Sequence, residues 1–140
     1  MSVPCPAAPW VLVSTRAHLA AAAIACREAG CPLVAATPPG AVAWLGPGWL
    51  PALVEAVSPP AQLYPLADCA SAAGFALTSL TLGIGVVVPE VPTAGQRRLA
   101  AIAAPLGLPV LDTRQSAHDL AGLDDPLAAC RALLLPLASA

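Results

Sequence analysis

The sequence predicts an α/β protein with a five-stranded, mostly parallel sheet in a three-layer sandwich. Short apolar runs of β type alternate five times with longer runs rich in Ala and Leu. Gly or Pro follows each helical run, which is typical of helix ends in βα units. Such units commonly pair in the order 2-1-3-4-5, a flavodoxin-like or Rossmann-like arrangement, and a half-barrel that pairs with a second copy is the alternative.

The predicted strands are the shortest apolar runs of the chain. They cover residues 10–14, 32–36, 62–67, 84–88 and 109–111. The run 86–88 is three valines without a charge, which is typical of a strand covered on both faces. We therefore expect it at the centre of the sheet.

Helices are predicted over residues 16–29, 49–57, 71–82 and 93–106, with Gly30 ending the first. Residues 41–48 are expected to be irregular or one short helix. A final helical region is predicted to begin over 116–123 and to resume over 125–137. There Asp125 precedes Pro126, the pattern of an N-cap followed by proline at the first helical position.

Composition limits the function classes. The 140 residues are 58% hydrophobic and 10% charged, which predicts one compact domain over residues 1–140. All six basic residues are Arg, so chemistry that needs a lysine is excluded. A net charge of −2 does not suit nucleic-acid binding. Five cysteines without a C-x-x-C pair favour free thiols in a reducing cytoplasm over a disulfide framework or a metal site.

A membrane span is considered because residues 69–89 carry no charge. Glycines and hydroxyl residues interrupt this stretch and no Lys or Arg flanks it closely, so a helix followed by a buried strand is the better interpretation. The first nine residues contain three prolines and no positive charge, so no secretory signal is predicted.

Polar residues cluster where the predicted strands end, which is the edge at which open parallel sheets bind ligands. The predicted ligand-binding residues are Ser14, Thr15, Arg16, His18, Asp68, Cys69 and Asp112. In the 2-1-3-4-5 order the first and third strands are neighbours, so Arg16 is expected to pair with Asp68. The alternative is that the Ser, Thr and Asp residues only cap helices.

Three functions remain open. The leading one is a ligand-binding or regulatory module that holds an anionic metabolite through Ser14, Thr15 and Arg16. The second is a small lyase or hydrolase that uses Asp68, Cys69 and His18, and the third is a structural subunit of a larger assembly. No cofactor is identified by the sequence.

The layout is similar to that of two known families. It resembles a phosphoryl-accepting receiver domain in having Asp68 at the end of the third strand, but Ser14-Thr15 replaces the acidic pair and Arg114 stands near the expected lysine. Phosphotransfer is therefore not expected. It also resembles flavodoxin, although the loop after the first strand lacks the usual Gly, so FMN binding is not implied.

Self-association is expected from the apolar composition. The loop over residues 37–50 contains Trp44 and Trp49 among glycines and prolines, and the chain ends with a run of leucines over 133–137. We expect a homodimer that buries either the tryptophan loop or the C-terminal leucines.

Overall fold

A computed structural model describes residues 8–138 as a parallel sheet packed against helices, which confirms the predicted α/β class. The six strands are β1 (Trp10–Leu12), β2 (Leu33–Ala36), β3 (Leu63–Asp68), β4 (Gly85–Val87), β5 (Val110–Leu111) and β6 (Ala117–Asp119). The helices are α1 (Arg16–Ala29), α2 (Val42–Leu45), α3 (Trp49–Val57), α4 (Ala73–Thr81), α5 (Thr93–Ala103) and α6 (Pro126–Ala138). A 3₁₀ turn, Ala104–Leu106, extends α5.

The predicted strand order is wrong. The strands lie in the order β5-β4-β3-β2-β1-β6, so β2 separates β1 from β3, and β4 is next to the edge strand rather than central. From β1 to β5, strands that follow one another in the chain are also neighbours in the sheet, which is the order of the half-barrel alternative. The chain steps in one direction at each crossover, and no local feature of the sequence specifies that direction.

The sequence predicts the start of a helical region over residues 116–123. In the structure, residues 117–119 instead form β6 and pair in parallel with β1, placing Ala117 opposite Trp10. A run of three residues has little intrinsic preference, and the unpaired edge of β1 offers it a ladder of hydrogen bonds. Within residues 8–138, no helix combines the length and the apolar character needed to cross a membrane.

Alternate residues of each strand face two different cores. The larger core joins one face of the sheet, including Val11, Ala67 and Val86, to buried residues of the long helices α1, α3, α4, α5 and α6. The smaller core covers the other face and is built from strand residues such as Trp10, Leu66 and Val87. Because crossovers are right-handed, stepping in one direction places successive helices over the same face.

The ends of α1 and the start of α6 match their sequence signals. The Thr15 hydroxyl accepts the His18 backbone N–H at 3.1 Å and caps α1, and Gly30 ends it with a φ of 66°. The Asp125 carboxylate accepts the Ala128 N–H at 3.0 Å at the start of α6. These signals need only neighbouring residues, so the sequence predicts them well.

The loop between β5 and β6 links opposite edges of the sheet. Six Cα steps from Leu111 to Ala117 reach at most about 22 Å, whereas five strand spacings in a flat sheet need about 24 Å. The sheet must therefore curve, with this loop over its concave side. The loop residues Arg114 and Gln115 accordingly lie beside residues of the smaller core.

Candidate functional site

The carboxylate of Asp68 is the centre of the polar network on the concave face. It ends β3, and its side chain is 5% exposed. One oxygen, Oδ1, accepts the backbone N–H groups of Gly40 and Ala70, each at 3.1 Å. Ala70 has a φ of 52°, a left-handed conformation that is uncommon for alanine and is found here beside the carboxylate that its N–H binds.

Arg114 binds the same carboxylate from the crossing loop. Its Nε donates to Asp68 Oδ2 at 2.6 Å and its Nη2 donates to Oδ1 at 3.1 Å, a bidentate geometry. The hydrogen bonds and charge of Asp68, with the charge of Glu90, hold the pKa of Arg114 above its ordinary value. The Nη1 atom is 3.8 Å from Glu90 Oε1, and the Glu90 side chain is 58% exposed.

A cavity of about 210 Å³ adjoins this ion pair. Its walls are mostly apolar. The lining residues are Trp10, Leu12, Ala36, Thr37, Pro39, Asp68, Arg114, Gln115 and Ala117. The Thr37 hydroxyl accepts the Asp68 backbone N–H at 2.8 Å, so it fixes the end of β3. The cavity thus has mostly apolar walls and a fixed guanidinium among its lining groups.

The predicted residues at the start of α1 are engaged with one another. The Ser14 N–H donates to His18 Nδ1 at 3.0 Å, and Thr15 caps the helix. Arg16 is exposed and lines a groove with Ala56 and residues of its own helix. The prediction that Arg16 pairs with Asp68 is wrong, because β2 lies between β1 and β3 and Arg114 takes the position at the carboxylate.

Asp68 and Cys69 do not form a common site. Successive strand residues point to opposite faces, so Asp68 faces the concave side while Cys69 belongs to the larger core. Burial raises the pKa of the Cys69 thiol from its ordinary 9.0 to about 11, against a smaller lowering by the Ser79 hydroxyl. At neutral pH this thiol is protonated and unreactive.

Asp112 lies apart from this cavity. It is exposed and lines a separate groove with Gln96, Arg97 and other residues of α5 and β5. The predicted order also makes the fifth strand an edge strand, and in the structure β4 likewise separates β5 from β3. Asp112 therefore does not join Asp68.

The predicted site omits Arg114, Gln115 and Trp10. A local signal existed for Arg114, because it follows the predicted fifth strand closely. Arg114 approaches Asp68 because its loop crosses the concave face, and the loop crosses there because β6 pairs with β1. Alternation along β3 would have separated Asp68 from Cys69, since a period of two places neighbours on opposite faces.

Within the part of the chain that the structure describes, no three His, Cys, Asp or Glu side chains are grouped so that they could hold a metal ion. No protein-family model matches the sequence, and no curated protein matches it. The chemistry of this site therefore has to be inferred from its own geometry.

Proposed function

We propose that the protein is a ligand-binding or regulatory module that holds a small anionic metabolite in the concave cavity, against Arg114. The observation that carries the proposal is a guanidinium fixed by a buried carboxylate at the wall of an apolar cavity. Fixing this group before the ligand arrives reduces the entropy that binding costs.

The free edge of the guanidinium supports an anionic ligand. Arginine has five N–H donors, and Asp68 uses one on Nε and one on Nη2. The edge formed by Nη1 and the second Nη2 hydrogen is left for a carboxylate or phosphate. Glu90 is the nearby competitor, but at 3.8 Å from Nη1 its contact is too long for a hydrogen bond.

The cavity limits the size and character of the ligand. Its volume of about 210 Å³ is below the ~300–1,000 Å³ of sites for drug-sized molecules. The indole of Trp10 and the side chains of Leu12 and Ala117 line it with apolar surface. A compact organic acid or phosphate with a small apolar body fits this description.

The test is a thermal-shift screen against small carboxylates and phosphates, followed by calorimetry on any compound that binds. Ala117→Leu fills the cavity without changing charge, and Arg114→Gln removes the anion partner. We expect a binder to raise the Tm of the wild-type protein and of Arg16→Ala, but not of these two variants. Binding that survives in Ala117→Leu and is lost in Arg16→Ala would move the site to the start of α1. A complete panel without any binder would contradict the proposal.

We also propose self-association in the cytoplasm. Trp44 is 72% exposed and Leu135 is 70% exposed, and large exposed apolar side chains are typical of interfaces. Trp49 packs against the larger core, so Trp44 is the aromatic residue of its loop that is available for a partner. The four described cysteines are free, which suits a reducing compartment.

Sedimentation velocity tests this second proposal. We expect a dimer at micromolar concentration that dissociates in Trp44→Ser or in Leu135→Gln, depending on which surface is buried. A wild-type monomer at high micromolar concentration would reject it.

A further inference from the structure

The end of α1 brings two cysteines of the same chain together. Gly30, in the left-handed conformation, donates its N–H to the Cys26 carbonyl at 2.9 Å and turns the chain back on the last helical turn. A residue just beyond such a glycine commonly contacts the residue one turn before it. Cys31 is that residue, and the Cys26 thiol donates to its carbonyl at 3.1 Å.

The two thiols differ in access to solvent. Cys26 is fully buried, whereas Cys31 is half-buried and packs against the core that contains Cys26. Burial raises the pKa of Cys26, and the negative charge of a Cys31 thiolate raises it further, against a lowering by the charge of Arg27. An oxidant from solvent therefore meets Cys31 first.

We propose that Cys26 and Cys31 form a peroxide-sensitive dithiol that closes reversibly to a disulfide at the end of α1. The Cys31 thiolate attacks one oxygen of hydrogen peroxide, the O–O bond breaks, and water leaves after protonation, giving a sulfenic acid. The Cys26 thiolate then attacks this sulfur, the S–O bond breaks, and a second water leaves. In total, two thiols and one peroxide give one disulfide and two waters, so the peroxide accepts the two electrons lost by sulfur.

The other described cysteines are internal controls. Cys69 and Cys130 are buried, and burial raises the pKa of each thiol to about 11. Neither should react with peroxide in the folded chain, because each is shielded from solvent and the thiolate is the reactive form. Cys26 is also buried, but it has to react only with the oxidised sulfur of its neighbour Cys31. Selective oxidation of Cys31 is thus a specific outcome rather than general damage to thiols.

Trypsin provides a direct assay, because Arg27 lies between the two cysteines. The folded protein is treated with hydrogen peroxide at pH 8, alkylated, and digested without a reductant. We expect peptides 17–27 and 28–97 to be joined by a disulfide that dithiothreitol releases. Peptide 28–97 also contains Cys69, so fragmentation and the variant Cys69→Ala establish that Cys31 is the linked residue.

Two further variants test the order of the steps. Cys31→Ser should abolish the cross-link and leave Cys26 unmodified, whereas Cys26→Ala should leave Cys31 as a sulfenic acid that dimedone captures. Dimedone labelling of Cys26→Ala does not require the cross-link, so it gives a result even if that variant is less stable. The proposal is overturned if the joined peptides are absent from oxidised wild-type protein, or if Cys31 is linked instead to another cysteine or to a second chain.

Discussion

Replacing Arg114 with alanine tests whether the ion pair with Asp68 holds the concave face together. The substitution removes both side-chain hydrogen bonds to a carboxylate that is only 5% exposed. Two backbone N–H groups, those of Gly40 and Ala70, still bind Oδ1, while Oδ2 loses its partner at 2.6 Å. A nearly buried charge is then left partly uncompensated.

The expected loss lies between two known limits. Breaking a fully buried pair costs about 3–5 kcal/mol, and exposed pairs contribute about 0–1 kcal/mol. Because the Arg114 side chain is 32% exposed, water can reach the vacated position and recover part of the cost. We expect a loss of about 2–3 kcal/mol, or roughly a 30- to 140-fold change in the folded-to-unfolded ratio.

Urea unfolding followed by tryptophan fluorescence measures this loss. With an m-value of about 2 kcal/mol/M, the midpoint should fall by about 1–1.5 M. The matched control is Arg131→Ala, which breaks an equally bidentate pair with Glu28, at 2.8 Å for both bonds, in which both side chains are about half exposed. That control should change the midpoint little, because solvent already screens the pair.

A double variant separates charge from packing. Asp68→Asn keeps an oxygen for the N–H groups of Gly40 and Ala70 but removes the charge. Combined with Arg114→Ala, it should be more stable than Arg114→Ala alone by about 1 kcal/mol or more. If Arg114→Ala is no more destabilising than Arg131→Ala, the reasoning about burial is refuted.

Three further predictions concern the core, the sheet and the first helix. The free energy of unfolding should fall as the pH rises from about 9 to about 11, because folded Cys69 and Cys130 keep protons that the unfolded thiols release at their ordinary pKa of 9.0. Urea titrations should show a weaker dependence of this free energy on pH in a Cys69→Ala/Cys130→Ala variant, and an equal dependence in both proteins would contradict the prediction. Gly85→Ala places a Cβ 2.7 Å from the ring of Pro109 and should destabilise the protein by about 1–3 kcal/mol. Gly74→Ala meets nothing within 4 Å in an exposed helical turn and should stabilise the protein by about 0.5–1 kcal/mol. Thermal unfolding that ranks the two variants in the opposite order would be evidence against the packing described. Thr15→Ala should cost about 1 kcal/mol through loss of the helix cap while leaving ligand binding at Arg114 unchanged, and calorimetry showing loss of binding would assign this loop to the ligand instead.

The sequence by itself determined the features that depend on neighbouring residues. The bounds of α1, the left-handed Gly30 and the Asp125 cap follow from local hydrogen bonding and backbone preference, and the structure confirms them. Alternation of apolar runs was sufficient for the α/β class, because each amphipathic helix must cover a strand. The burial of residues 86–88 was likewise readable from three consecutive valines.

Only the tertiary structure decided where the elements lie relative to one another. The order of strands depends on the direction of each crossover, which adds long-range contacts without changing any local pattern. The strand β6 forms because β1 presents an unpaired edge to it, and its place forces the preceding loop across the concave face. That crossing is what brings Arg114 to Asp68, 46 residues away in the chain, and leaves Arg16 outside the site. The candidate site is therefore a consequence of topology, and the residues that form it carry no common signature in the sequence.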